Sequence, residues 1–169
     1  MNENVLIAPV DAGDAESIAK LARVVWRHAY VNIITEQQMD YMLNERYNVA
    51  RLLDELKMND LWWDKAVLDG QLIAFASTFK TENTVEMKLD KLYVDPQQQR
   101  CGLGEKMIAH ISRRALRDGF KALILAVNKQ NSQAIAAYKK YGFNVREAVC
   151  VDIGGGFFMD DFIMEKLLE

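Results

Sequence analysis

The stretch Gln99-Arg100-Cys101-Gly102-Leu103-Gly104 lies between a strand-like run, residues 91–94, and a helix-like run, residues 107–111. A glycine-rich turn between a strand and a helix directs several unpaired backbone N–H groups, and the positive end of the helix dipole, at one point. Glycines at positions 102 and 104 leave room for an anion and permit backbone dihedrals that other residues avoid. The sequence therefore predicts a phosphate or pyrophosphate site at this turn.

Two common phosphate-binding loops do not fit this spacing. A P-loop needs Gly, four residues, and then Gly-Lys followed by Ser or Thr, whereas Glu105 and Lys106 follow Gly104 here. A dinucleotide-binding turn needs a third glycine three residues after the second, and position 107 is Met. The spacing therefore excludes both kinds of loop.

A second block follows the helix. Residues 122–127 form a continuous apolar run, which predicts a buried strand. Asn131 is a suitable N-cap for the next helix, and Gly142 stands where a C-terminal cap glycine is expected. Between them, Tyr138 and Tyr141 continue a helical spacing that begins at Ala134. This part of the chain is therefore predicted to continue from the first helix into a strand and a second helix.

The other patterns predict the remaining elements. A first strand at 5–10 is followed by a helix capped by Asp14, and one or two helices lie within residues 31–57. Asp69-Gly70 predicts a hairpin between strands 61–68 and 72–78. Further strands are predicted at 84–94, 143–151 and 157–165. This order predicts an α+β fold, with helices on the faces of a sheet.

Length, composition and charge limit the class of protein. The chain has 169 residues, half of them apolar, which suits a single domain over residues 1–169. No apolar run approaches the roughly 20 residues of a membrane helix and no signal peptide is recognised, so we expect a cytoplasmic protein without a membrane partner. A net charge of -3 gives no basic footprint for nucleic acid. Cys101 and Cys150 lack the spacing of metal ligands, and no metal is expected.

The loop resembles the signature of the GNAT superfamily of acetyl-CoA-dependent N-acetyltransferases: Gln or Arg, two residues, Gly, one residue, and Gly or Ala. Gln99, Gly102 and Gly104 match this signature, and residues 92–96 resemble the strand end that precedes it. Residues 131–143 are similar to the family's second motif. The resemblance covers most of the chain from about residue 60. It implies a mixed, mostly antiparallel central sheet of about seven strands, flanked by four or five helices.

The chemistry of acetyl transfer to an amine limits which residues could act. An alkylammonium with a pKa of about 10.4 must lose a proton before it attacks, and the departing thiolate must gain one. The resemblance implies that Tyr138 protonates the sulfur, for which a phenol is a suitable donor. It also implies a carboxylate near the fourth strand as general base, and Asp90 and Glu86 are the candidates. The structural alternatives are a core aromatic at position 138 and exposed strand carboxylates.

The resemblance further implies a binding surface for acetyl-CoA. The fourth strand would offer main-chain groups to the pantetheine arm, as a sheet edge does to an added strand. The loop would surround the pyrophosphate with main-chain N–H groups. The residues assigned to acetyl-CoA in this way are Leu92, Tyr93, Val94, Gln99, Arg100, Cys101, Gly102, Leu103, Gly104, Glu105, Asn131 and Lys140.

The sequence leaves the acceptor amine open. Family members differ most around residues 26–41 and in the last hairpin, and Trp26 and Tyr30 are predicted to border the acceptor. These segments loosely resemble a bacterial branch that includes spermidine and spermine acetyltransferases. This favours direct transfer to a small-molecule amine, such as a polyamine, in a ternary complex. A polyamine would need acids around its groove, for which the candidates are Asp40, Glu82, Glu86, Asp160 and Asp161.

Two other functions remain open at this point. One is a protein or peptide N-acetyltransferase, which would need an open groove for its acceptor. The other is a non-catalytic CoA-binding sensor or regulatory module, because a binding loop alone does not establish turnover. Relatives are often dimers, which makes a homodimer a further partner to consider.

Overall fold

Seven strands and five α-helices make up the part of the chain that the structure, a computed structural model, describes: residues 4–169. The strands are β1 (Leu6–Pro9), β2 (Leu61–Leu68), β3 (Gln71–Lys80), β4 (Glu86–Val94), β5 (Ala122–Asn128), β6 (Asn144–Gly154) and β7 (Phe157–Leu167). The helices are α1 (Ala15–Tyr30), α2 (Glu36–Arg46), α3 (Val49–Glu55), α4 (Leu103–Arg117) and α5 (Ser132–Lys140). The predicted α+β architecture is confirmed.

The strands form one mixed sheet in the order β1-β2-β3-β4-β5-β7-β6. Neighbouring strands are antiparallel except for β4 and β5, which are parallel. These two strands pair over three residue pairs, from Glu86 opposite Ala122 to Lys88 opposite Ile124. Both strands continue beyond this point, so their carboxyl-terminal halves separate and open a gap in the sheet.

A β-bulge in β4 lies where the strand leaves β5. Ser77 of β3 pairs with Lys91, whereas its neighbour Thr78 pairs with Leu89, so that Asp90 is the extra residue. Such a bulge bends its strand and increases the local twist. It therefore contributes to the separation of β4 from β5.

Helices cover both faces of the sheet, which creates two cores. Helices α1, α2 and α3 pack on one face around Trp26 and Phe75. Helix α4 packs on the other face around Met107 and Phe143, with α5 at its border. Apolar residues at helical spacing in α1 are buried in the first core: Ile18, Leu21, Ala22 and Val25.

Local sequence signals predicted several turns and caps correctly. The side chain of Asn131 accepts a hydrogen bond from the backbone N–H of Ala134 at 3.2 Å, which caps α5. Thr35, a residue type that favours this position, caps α2 in the same way. Asp69 and Gly70 both have positive φ angles, as a two-residue hairpin between β2 and β3 requires. These signals act within a few residues, which is why the sequence alone reveals them.

The start of α1 differs from the prediction. A short 3-10 turn, Ala12–Asp14, precedes the helix. The Asp14 carboxylate accepts a hydrogen bond from the Asp11 N–H at 2.9 Å and lies 2.6 Å from the ammonium of Lys65 in β2. Asp14 therefore ties the start of the helix to the sheet instead of capping the helix amides.

Candidate active site

A cavity of about 530 Å³ occupies the gap between β4 and β5. Its walls also include the end of α1, the turn after β4, the start of α4 and one face of α5. This volume lies in the range of small-molecule and cofactor sites, about 300–1,000 Å³. Most of the predicted site residues line it together: Tyr30, Asp90, Leu92, Tyr93, Val94, Gln99, Arg100, Gly102, Leu103, Gly104, Glu105, Asn131, Tyr138 and Lys140.

The glycine turn has the geometry of an anion cradle. Gly102 adopts a left-handed conformation, φ 75° and ψ 8°, directly before the first residue of α4. The first amides of a helix have no carbonyl partner within the helix, so they are free to bind a ligand. At the start of the turn, the side chain of Gln99 donates a hydrogen bond to the carbonyl of Val94 at 3.2 Å. This bond holds the turn against the end of β4.

Gly104 allows α4 and α5 to approach each other closely. A Cβ at position 104 would lie 3.3 Å from the hydroxyl oxygen of Tyr141, a tight contact. Tyr141 also lines the cavity, although the sequence analysis assigned it only a helical spacing. Its spacing could have indicated this role, because a residue three positions after Tyr138 lies on the same side of the helix.

Tyr138 is half-buried on α5, and its ring lies 5.7 Å from that of Phe143. Burial raises the pKa of Tyr138 above its usual value, and the nearby Tyr30 and Tyr141 add to this. The phenol therefore stays protonated at neutral pH, as a proton donor must.

Asp90 lines the cavity but is held by two cations. Its carboxylate oxygens lie 2.8 Å from the guanidinium of Arg46 and 2.6 Å from the ammonium of Lys91. Burial by itself would raise the pKa of Asp90, but the charges of Lys91 and Arg46 outweigh it and lower the pKa to about 2. This environment argues against the prediction of Asp90 as general base, because a carboxylate that is held by two cations binds a proton only weakly.

Glu86, the other candidate base, is also placed differently. It lies at the beginning of β4, within the paired part of the sheet, whereas the cavity opens at the other end of the strand. Its carboxylate forms an ion pair with Arg146 of β6 at 2.9 Å. Glu86 therefore has a structural contact where the sequence predicted a catalytic role.

Trp26 is a further correction, whereas the main-chain contact assigned to Cys101 in the glycine turn stays a prediction. Trp26 is 1% exposed in the core beneath Tyr30, with the two ring centroids 4.6 Å apart, so it supports Tyr30 instead of bordering the acceptor. Cys101 is exposed and faces a small separate depression together with Ile73 and Lys106. The sequence predicts which element a residue belongs to, but not whether its side chain faces the cavity or the core.

The acids predicted around an acceptor groove differ in environment. Asp40 pairs with Arg27 at 3.1 Å on the surface, and Asp160 pairs with Lys129. Of these acids, Asp161 is the one that is buried, with 8% of its surface exposed.

We also searched residues 4–169 for a metal-binding cluster and for a membrane-spanning helix, and they contain neither. Within residues 4–169, His, Cys, Asp and Glu side chains do not form a group of three or more that could hold a metal ion. Over the same residues, the helices are too short or too polar to cross a membrane.

Known proteins share both the sequence and the fold of this chain. The profile of the acetyltransferase (GNAT) family matches residues 23–143. A spermidine N(1)-acetyltransferase of Thermoplasma acidophilum is 27% identical over 98% of this chain and 99% of its own length. A ribosomal protein bS18-alanine N-acetyltransferase of Escherichia coli is 37% identical over 45% of this chain and 50% of its own.

A solved structure extends the similarity to three dimensions. The crystal structure of the PaiA N-acetyltransferase from Thermoplasma acidophilum, in complex with coenzyme A, superposes with a TM-score of 0.84. The alignment covers 96% of this chain and 98% of that protein, at 27% identity. The family profile covers the glycine turn, the parting strands and Tyr138. The protein therefore belongs to the GNAT family of acetyltransferases.

Proposed function

We propose that the protein transfers an acetyl group from acetyl-CoA to a primary amine of a small molecule, directly and in a ternary complex. The observation that carries this proposal is that one cavity is lined both by the glycine turn and by Tyr138. The turn can bind a pyrophosphate, and the phenol can protonate a thiolate. We take residues 1–169 to form the single catalytic domain.

The residues around the cavity fit acetyl-CoA. The half of β4 that has parted from β5, Leu92 to Val94, presents a strand edge along which a pantetheine arm can bind. Arg100 and Lys140 add positive charge on the phosphate side of the cavity. The presence of coenzyme A in the related PaiA structure supports this assignment.

In the proposed reaction, the acceptor nitrogen loses a proton and attacks the carbonyl carbon of the thioester. The carbon–sulfur bond then breaks, and the sulfur takes a proton from Tyr138. Holding both substrates in one cavity makes the attack effectively unimolecular. This can lower the activation free energy by up to about 7–11 kcal/mol.

We favour a small amine over a protein as the acceptor. The amide nitrogen of Gln38 in α2 donates a hydrogen bond to the carbonyl of Phe158 at 2.9 Å, and the hydroxyl of Tyr41 bonds the carbonyl of Ile153 at 3.1 Å. These contacts join α2 to the β6–β7 hairpin. The Thermoplasma spermidine acetyltransferase, which aligns over 98% of the chain, supports a polyamine as the acceptor.

The test is release of free thiol from acetyl-CoA in the presence of a panel of amines, with the acetylated product identified by mass spectrometry. The panel includes spermidine, shorter diamines, free amino acids and peptides with a free N-terminal alanine. We expect turnover with a polyamine or another small amine. Turnover with peptides alone would favour the protein acetyltransferase instead. Binding of CoA without turnover on any amine would favour a sensor and refute the proposal.

A further inference from the structure

The β-bulge at Asp90 lies where the gap between β4 and β5 begins. The two strands pair as far as Lys88 and Ile124, and the next residue of β4, Leu89, lines the cavity. Asp90, the extra residue of the bulge, lines the cavity as well. A bulge bends its strand and changes the direction of the residues around it. The conformation of β4 at Asp90 therefore determines the shape of this end of the cavity.

The carboxylate of Asp90 is tied to two helices. Nη2 of Arg46, the last residue of α2, lies 2.8 Å from each of its oxygens. The ammonium of Lys91 lies 2.6 Å from Oδ2 of Asp90 and 3.6 Å from the carboxylate of Glu55 in α3. The side chains of Lys91 and Glu55 are 2% and 5% exposed. The bulge is therefore held by a row of alternating charges that runs from α3 through β4 to α2.

Helix α2 is itself fixed to the β6–β7 hairpin, so that it gives Arg46 a defined position. Gln38 donates a hydrogen bond to the carbonyl of Phe158 at 2.9 Å, and Tyr41 donates one to the carbonyl of Ile153 at 3.1 Å. The same helix thus contacts the hairpin through its first half and the bulge through its last residue.

Stability alone explains the Arg46–Asp90 pair poorly. Removing two charges from water costs free energy, and a well-packed apolar pair of similar volume is often as stable. What an ion pair does provide is a defined geometry, because charge-assisted hydrogen bonds are short and directional. One nitrogen of Arg46 at 2.8 Å from both oxygens leaves the carboxylate of Asp90 little freedom.

The bulge lies near the expected place of the thioester. In the proposed complex, the pyrophosphate binds at the turn after β4, and the pantetheine arm runs back along Val94 and Leu92. The thioester is at the far end of this arm, in the direction of Asp90. A displacement of reacting groups by about 1 Å can lower a rate by about 100-fold. The position of the bulge therefore matters for the reaction.

We propose that Arg46 is a positioning residue for acetyl transfer. Through Asp90, it holds the bulge of β4 in the conformation that places the thioester of bound acetyl-CoA for attack. This inference rests on the proposed function. It makes Asp90 an anchor where the sequence predicted a base, and neither residue exchanges a proton with the substrates.

The first experiment compares Arg46→Met with Arg114→Met. Each variant removes a cation from a carboxylate that is at most 16% exposed, but Arg114 holds Asp64 from α4, on the opposite face of the sheet. Both are assayed well below their Tm, and rates are divided by the folded fraction. We expect kcat to fall by about 10-fold to 100-fold in Arg46→Met and to stay near wild type in Arg114→Met.

The affinity for CoA is measured in the same two variants. It should stay near wild type in both, because the bond from Gln99 to Val94 holds the pyrophosphate turn independently of Arg46. A wild-type kcat in Arg46→Met, or an equal loss of kcat in Arg114→Met, would overturn the proposal.

Asp90→Asn tests whether Arg46 acts through Asp90. The single variant should lower kcat, because Arg46 holds a neutral amide less firmly than a carboxylate. The double variant Arg46→Met/Asp90→Asn should then lose no more than the worse single variant, whereas independent effects would multiply. Multiplied losses would overturn the proposal.

The choice of acceptor separates an anchor from a base. At pH 7, Asp90→Asn should lose the same factor with an alkylamine and with an alkoxyamine of similar shape, which is already neutral at that pH. A general base is needed only for the protonated amine. A much smaller loss with the alkoxyamine would identify Asp90 as a base and overturn its role as an anchor.

The carbonyl of bound acetyl-CoA gives a measurement that does not depend on turnover. With an isotope label at the carbonyl carbon, its NMR chemical shift in the complex should change in Arg46→Met and match wild type in Arg114→Met. An unchanged shift in Arg46→Met, with normal CoA binding, would overturn the positioning role. If the shift changes but the wild-type protein acetylates no amine, the proposed function fails, while placement of the thioester by Arg46 is supported.

Discussion

Arg46 and Asp90 form an ion pair in which one guanidinium nitrogen lies 2.8 Å from each carboxylate oxygen. Arg46 is the last residue of α2, and Asp90 is the bulged residue of β4. The pair therefore connects the helical layer to the point where the sheet opens.

Arg46→Met should destabilise the fold. It leaves the largely buried carboxylate of Asp90 with Lys91 alone, which should lower the free energy of unfolding by about 1–3 kcal/mol. Arg27→Met is the control, because the Arg27–Asp40 pair is about half exposed and should contribute less than about 1 kcal/mol. Urea unfolding at pH 7 measures both, and equal losses in the two variants would contradict the prediction.

Asp90→Asn should change how stability depends on pH. The pKa of Asp90 is about 2 in the folded protein, whereas its reference value for the unfolded chain is 3.8. The ionised carboxylate therefore stabilises the fold fully above pH 3.8. That contribution is lost as the pH falls from 3.8 through about 2. Between pH 5 and 3, the free energy of unfolding should therefore fall more steeply in wild type than in Asp90→Asn. Urea titrations at several pH values test this, and parallel curves would argue against it.

Gly102→Ala should weaken CoA binding through backbone strain. A Cβ at position 102 meets no atom within 4 Å among residues 4–169, but the φ angle of +75° costs a non-glycine residue about 1–2 kcal/mol. Gly119, at the other end of α4, has φ +91° and similar open space. Both alanine variants should lose similar stability, whereas only Gly102→Ala should raise the Kd for CoA in calorimetry. A normal Kd in Gly102→Ala would refute the pyrophosphate assignment.

Tyr138→Phe should lower kcat and leave the affinity for acetyl-CoA nearly unchanged. Loss of a general acid reduces the rate by about 100-fold to 10,000-fold. Because burial raises the pKa of Tyr138, the wild-type rate should not fall through loss of this proton below about pH 10. Steady-state assays from pH 6 to 10 measure both effects. Unchanged turnover in Tyr138→Phe would leave only a packing role against Phe143.

Arg114→Met should be more destabilising than any surface change in α4. Arg114 donates to the buried Asp64 at 2.6 Å and to Thr78 at 2.9 Å, which anchors α4 to β2 and β3. Removing one partner of a buried ion pair costs about 3–5 kcal/mol. Arg117→Met, which removes an exposed pair with Asp118, should cost less than about 1 kcal/mol. A small Tm shift in Arg114→Met, similar to that of Arg117→Met, would contradict this account.

The sequence alone determined the order of the elements and the position of the glycine turn. Apolar periodicity, the Asn131 cap and the Asp69-Gly70 turn depend on contacts within a few residues, so they can be recognised without tertiary structure. The same holds for Gly102, whose left-handed conformation is built into a turn of six residues.

Only the tertiary structure decided the surroundings of each carboxylate. Arg46 lies 44 residues before Asp90 in the chain. Asn128 lies opposite Asp161 because β5 and β7 pair across the intervening helix and strand. Proton affinity depends on burial and on the charges that the fold brings within a few ångströms. The sequence does not distinguish Asp90 in β4 from Asp161 in β7, because both are aspartates within predicted strands. Folding pairs Asp90 with two cations and leaves an oxygen of Asp161 unpaired within residues 4–169.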